Sequence, residues 1–189
     1  MEFSKTVKAR HSSRDFRSDP LARDMLERIV ETARRAPSSA NLQPWRFWVV
    51  TGDTRMRLGE VIAQSTVHLE EYMEVLGPER YEAAVTWYSS LGNAPVLIVV
   101  SARCAPVEFE ALNRNLSIGA AMENLLLAVA DEGIGACNIT FSHWVKGELA
   151  AVLGLSDSEE VVNIVALGVP SDTALATPPL KPDDTVWLD

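Results

Sequence analysis

The sequence predicts an α+β fold, layered around one long helix. Three observations predict it. Helical periodicity alternates with short apolar runs in the order helices, strand, helices, strand, long helix, strand, helix, strand, tail. One helix, Asn113 to Glu132, outlasts the others and carries Ile118, Ala121, Met122, Leu125, Leu126 and Val129 on one side. The first strand-to-helix turn, Thr51-Gly52-Asp53, lacks the G-x-G-x-x-G fingerprint expected where a doubly wound parallel sheet binds a dinucleotide.

Each element has its own signal. Asp19-Pro20 reads as an N-cap followed by proline at the first helical position. Leu26, Ile29, Val30 and Ala33 then give one apolar face, and Pro37 stops the helix. Phe47-Trp48-Val49-Val50 reads as a buried strand, and Asp53 as the cap of a helix with Leu58, Val61 and Ile62 inward. A helical excursion follows over about 54–92. Its part at 64–93 is least legible: Gly77-Pro78 breaks it, and it reads either as a packed hairpin or as a cover over a pocket. Pro95 to Val100 is a second buried strand. The long helix has small residues Gly119, Ala120 and Ala121, and Gly133 and Gly135 end it. A short strand at Ala136–Ile139, a helix marked by Val145, Leu149, Val152 and Leu153, and a strand at Val161–Leu167 complete the body. The proline-rich tail, about 171–189, reads as extended.

Composition narrows the function. The 189 residues suit a single domain spanning 1–189, at 47% hydrophobic and 23% charged. A net charge of -9 and a pI near 4.9 argue against nucleic acid or an anionic membrane as partner. No run approaches 18 apolar residues, and no apolar stretch precedes the first basic residues, so neither a membrane span nor a signal peptide is expected. The cytoplasm is the expected compartment. Cys104 and Cys137 match no metal spacing and read as buried free thiols.

Two polar clusters carry the chemistry. The first, Arg10-His11-Ser12-Ser13-Arg14-Asp15-Phe16, sits in a basic stretch where Lys5, Lys8, Arg10, Arg14 and Arg17 face only Glu2 and Asp15. Guanidinium matches phosphate as a bidentate, permanently charged partner. The second, Pro37-Ser38-Ser39-Ala40-Asn41-Leu42-Gln43, is rich in hydroxyls and amides that suit a ring edge alternating donors and acceptors. Together they suit a ligand with a phosphate at one end and a flat hydrogen-bonding ring at the other. Ion pairing of Arg14 with Asp15 or Asp19, and turn chemistry at Ser38-Ser39, are the plainer uses of the same groups.

The ordered series resembles the nitroreductase family of FMN-dependent oxidoreductases. Arg-x-Ser-x-Arg-x-Phe and Ala-Pro-Ser-Ser-x-Asn-x-Gln-Pro-Trp-x-Phe open it. Asn93 to Val100, Ala120 to Ala128, Gly133 to Cys137 and Val162 to Pro170 continue it. Residues 54–92 lack clear counterparts. The resemblance implies a mixed, mainly antiparallel sheet and a homodimer with FMN at its interface. It implies that Arg10, His11, Ser12 and Arg14 approach the phosphate and ribityl chain, and that Pro37, Ser38, Ser39, Asn41 and Gln43 lie near the ring, partly from the other subunit. It sets residues 137–141 opposite flavin N5. Relatives are often glycine-rich there, whereas this chain offers Asn138, Ile139 and Thr140. Basic residues of the tail complete the phosphate site in relatives, and here only Lys181 stands in that region.

The activity so implied moves a hydride from NADH or NADPH through flavin N5 to a quinone, a nitroaromatic or a similar acceptor. Donor and acceptor share one shelf, which predicts ping-pong turnover. No side-chain nucleophile is required, in keeping with the lack of a triad signature. Reductive dehalogenation or flavin modification on the same fold, a non-catalytic flavin-binding protein, and a flavin-free dimer are the alternatives.

Overall fold

The sheet forms because two apolar runs are long enough to be covered on both faces. A computed structural model of the chain describes residues 2–171 and 185–188. Strands β1 (Arg46–Val50), β2 (Val96–Arg103), β3 (Gly135–Ile139) and β4 (Glu159–Gly168) lie in the order β1-β2-β4-β3. Every ladder is antiparallel, with Trp48 opposite Val99, Ile98 opposite Val165 and Cys137 opposite Ala166. Among the described residues the parallel element is a single bridge between Ser12 and Ala136.

Side chains of β2 alternate between two cores, as the two-residue strand period requires. Leu97 and Val99 join Leu58 and Ile62 of α3 (Gly52–Gln64) and Leu149 of α7 (Lys146–Leu153). Val96, Ile98 and Val100 join Leu26 and Ile29 of α2 (Arg23–Arg34) and Ile118 and Leu125 of α6 (Glu108–Asp131). The α+β layering expected from the sequence is therefore present, with the long helix laid across one face of the sheet. Arg28 ties the two helices of that face, bonding Asp24 at 2.8 Å and Glu132 at 2.8 Å.

Several boundaries differ from the sequence reading. The second helix begins at Arg23 after an uncapped Ala22, because Asp19 is taken by Arg17 at 2.9 Å. Thr51, not Asp53, is the N-cap position of α3. Asp53 sits in the first turn, where its charge complements the helix dipole. The long helix starts at Glu108, and Cys104 is exposed while Cys137 is buried. A first helix, α1 (Phe3–Ala9), had no visible signal: its one buried residue is Thr6, and its apolar Phe3 and Val7 face outward. The excursion resolves into a 3-10 segment at Ser65–Tyr72, α4 (Met73–Leu76) and α5 (Pro78–Ser90). Most of the tail, Lys181 included, lies outside the described residues.

The feature that positions the site is the extended segment after α1. Ser13 N donates to Ala136 O at 2.9 Å, Phe16 N to Gly92 O at 2.9 Å, and Arg17 N to Val169 O at 2.9 Å. Trp87 Nε1 donates to Arg14 O at 2.8 Å. The segment lies so close that a Cβ at Gly92 would fall 2.0 Å from Arg14 O, and one at Gly135 2.6 Å from Ser13 Cβ. Gly92 also has φ +60. Gly92→Ala is expected to destabilise the fold by more than about 1 kcal/mol, since alanine meets both a left-handed backbone and a backbone clash. Urea unfolding checks this; an unchanged midpoint would contradict the close approach.

Candidate active site

Holding Ser12 to Arg17 by its main chain buries Ser13 and Phe16 and leaves the guanidinium groups of Arg10 and Arg14 to face outward. Ion pairs do not claim them. Among the described residues the Arg10 and Arg14 guanidinium groups pair with no carboxylate. The plainer partners of Arg14 are occupied elsewhere: Asp15 accepts from Ser171 Oγ, and Asp19 from Arg17. A permanently charged group fixed at its backbone and free at its tip is suited to an anion.

Two hollows flank the segment. Arg10, His11 and Ser13 line a small one of about 260 Å³ with Gly133, Ile134 and Pro170. Arg14 lines a larger one of about 1140 Å³, with Asn138 and Thr140 from the end of β3 and aromatic residues from the excursion. Four residues of extended chain separate Arg10 from Arg14, at most about 14 Å. His11 is less available than the sequence implied, since its Nδ1 meets Ala9 O at 2.9 Å and its Nε2 meets Ser13 Oγ at 3.4 Å. The side chain of Ile139 is fully buried in the core, so only its main chain can face a ligand.

The wall of the larger hollow is aromatic. Tyr88 lies 5.0 Å from Trp87 and 5.2 Å from Phe141, and Tyr72 stands edge-on to Phe141 at 5.7 Å. Burial pushes the Tyr88 phenol up to about 12, the Cys137 thiol adding to the rise and Arg14 opposing it. The phenol is therefore protonated, and a hydrogen-bond donor, at neutral pH. Burial likewise raises the Cys137 thiol, again against Arg14, and keeps it neutral. The sequence reading singles out neither Trp87 nor Tyr88. Their i, i+1 spacing with no alternating partner carries no site signal, and the 64–93 segment both packs against α3 and borders the hollow.

The second polar cluster is not in this hollow. It sits at the far end of α2, whose 12 residues span about 18 Å. There Ser39 N donates to Ser117 Oγ of α6 at 3.1 Å, Gln43 N to Ser38 Oγ at 3.0 Å, and Gln43 Nε2 to Asn41 Oδ1 at 3.0 Å. Pro37, Ser39, Asn41 and Gln43 are exposed. Ala40, Asn41 and Gln43 hold φ of 47, 54 and 46, a left-handed run of non-glycine residues. Each such residue costs about 1–3 kcal/mol and persists where function or packing demands it. Beside it α6 leaves Phe109 and Leu116 70% and 66% exposed. Trp45 and Phe47 pack with the core, and Trp48 Nε1 bonds Ser101 Oγ at 2.9 Å, so these three are structural.

Among the described residues no cluster of His, Cys, Asp and Glu side chains is set to hold a metal, and no helix is long and apolar enough to cross a membrane. The site is thus an aromatic, cationic hollow with strand-end amides at its floor.

Comparison with known proteins agrees with this chemistry. The model of the nitroreductase family matches residues 7–169. The chain belongs to the nitroreductase family. Nitroreductase NfnB of Mycolicibacterium smegmatis is 27% identical over 196 residues, spanning 89% of this chain and 82% of that protein. The crystal structure of a BluB-like flavoprotein from Clostridium difficile 630 superimposes with a TM-score of 0.78 at 27% identity, covering 96% of this chain and 95% of that one. The FMN and NADPH-dependent nitroreductase NfnB from sphigopyxis sp. strain HMH gives 0.81 at 21% identity, covering 100% and 99%. At that identity the likeness speaks for the fold.

Proposed function

We propose that this chain is an FMN-dependent oxidoreductase that takes its electrons from NADH or NADPH and passes them to a quinone, a nitroaromatic or a similar small acceptor. The observation that carries the reading is Arg14: a guanidinium that pairs with no carboxylate among the described residues, pinned through its own carbonyl and lining an aromatic hollow. Family membership and the flavin-dependent relatives support it. When bound, FMN supplies hydride transfer at N5, first from the nicotinamide and then to an acceptor on the same shelf, which makes turnover ping-pong.

The residues fit such a group. Arg10, Arg14 and the Ser12 hydroxyl hold phosphate and ribityl oxygens, with His11 ordering the turn between them. Asn138, the Ile139 main chain and Thr140 offer hydrogen bonds at the ring edge. Tyr88, Trp87 and Phe141 exclude water from one side. Lys181 is the tail's candidate for the phosphate and lies outside the described residues.

Pro37, Ser38, Ser39, Asn41 and Gln43 serve the flavin of a second copy. Their strained, outward-facing loop and the bare apolar stripe of α6 are two halves of one homodimer interface on this reading. Two free cysteines suit a reducing compartment such as the cytoplasm, which also supplies the nicotinamide donors.

Three outcomes test the reading. Arg10→Ala and Arg14→Ala should each weaken FMN binding roughly 10- to 150-fold, the worth of a hydrogen bond to a charged group, with circular dichroism unchanged. Unaltered FMN affinity in both would remove the phosphate site. The protein should sediment as a dimer, and Leu116→Glu should yield monomers that release FMN, because obligate interfaces commonly bury about 2,000 Å² or more. A wild-type monomer that retains FMN would refute the shared site. Double-reciprocal plots at several quinone concentrations should run parallel, and nicotinamide alone should bleach the flavin under argon. Intersecting lines would exclude the shared shelf. A flavin that no nicotinamide bleaches would favour the dehalogenase or flavin-storage alternatives.

A further inference from the structure

Helix α5 has no fully buried residue, although it is 13 residues long. Its stripe at i, i+3, i+4, i+7 and i+8, which in most helices would enter a core, is Arg80, Ala83, Ala84, Trp87 and Tyr88, and all five line the large hollow. One face of the helix therefore borders a space, while the helix also packs against α3 and the Ser65–Tyr72 segment, and Trp87 and Tyr88 lie half-buried against the core. The stripe grades from two indole and phenol rings at one end, through two alanines that leave room, to a guanidinium at the other.

Arg80 is out of place by the rules of helix stability. It stands in the first turn, after Pro78 and Glu79, where the macrodipole disfavours a cation. Among the described residues no carboxylate pairs with it. Among the described residues no aspartate or glutamate lines the hollow, and Arg14 and Arg80 are the permanently charged groups that do. Facing rings offer both flat faces and edges, since the contacts among Tyr72, Phe141, Tyr88 and Trp87 run from tilted to edge-on.

We propose that the acceptor of this enzyme is an aromatic acid, its ring held by the aromatic wall and its anionic group held by Arg80. This rests on the flavin reading above, which commits Arg14 to the cofactor and leaves Arg80 as the guanidinium free for a second anion. Arginine suits a planar carboxylate or sulfonate because its fork donates two parallel hydrogen bonds. The redox step needs no reactant beyond those named: a nitroarene, one nicotinamide hydride and one proton give the nitrosoarene, water and oxidised nicotinamide.

The test uses 4-nitrobenzoate and its neutral near-isostere 4-nitrobenzamide. Each is titrated calorimetrically into the purified, oxidised protein at neutral pH, with flavin content read from the absorption spectrum of the same sample. The acid should bind about three- to tenfold more tightly than the amide, a range set by an ion pair that is exposed in the open hollow and covered by ligand. Arg80→Gln should bring that ratio close to one, and Arg80→Lys should keep part of it. The same ratio should appear in kcat/KM for the two acceptors. Equal affinities in the wild type, or a ratio untouched by Arg80→Gln, would overturn the inference. An empty flavin spectrum would instead strike the cofactor reading, so the two failures are told apart.

Discussion

Everything around the candidate site depends on one backbone constraint: the extended run Ser12–Arg17 is stitched to three separate elements. Ala136 of β3, Gly92 after α5 and Val169 after β4 each accept one of its amide protons. Trp87 adds a fourth bond from the excursion. Such a run has no partner strand along its whole length, so isolated from these contacts it would be a loop. Bonded on three sides it becomes rigid, and Arg14 is aimed from it while pairing, among the described residues, with no carboxylate. This is an efficient way to hold a cation for a ligand, because the order is stored in main-chain bonds and the charge is left to the ligand.

The same constraint explains why the two polar clusters part company. The first is fixed near β3, and α2 must then run across the sheet face to bury Leu26, Ile29 and Ala33. Its other end delivers the second cluster to α6. A strained loop there, with Ala40 and Gln43 in left-handed backbone, is held by Ser117 and by its own hydroxyl and amide bonds. Such local bonds would make a good turn without strain. Strain at an exposed surface beside a bare apolar stripe is better accounted for by a second molecule than by the protomer itself.

What was legible in the sequence follows from these forces. The strands and α2, α3, α6 and α7 were legible because apolar periodicity records burial directly. The first helix was hidden because Thr6 is its single buried residue. The start of α2 was misplaced because Asp19-Pro20 is a good cap in isolation, whereas in the fold Asp19 serves Arg17. In the site, the arginines and the amide loop were legible as a motif series. The aromatic hollow was not, because a helix stripe facing a cavity and one facing a core have the same period. Only the hollow that α5 borders separates them, and that is a property of the assembled chain.

This leaves a division between two kinds of structure. Arg14, Asn138 and Thr140 stand on or against the sheet, whose central strands carry many of the fully buried core residues and will open last. Trp87, Tyr88 and Arg80 stand on α5, which has no fully buried residue of its own. Its ties to the body include the Trp87 bond to Arg14 O, the Arg55 bond to Ser90 O and packing against α3. A cofactor that must stay in one position through many turnovers is best held by the first kind. An acceptor that must enter and leave is best read by the second, since local opening there costs little buried surface. The residues that distinguish one acceptor from another are therefore expected on α5 and the segment before it.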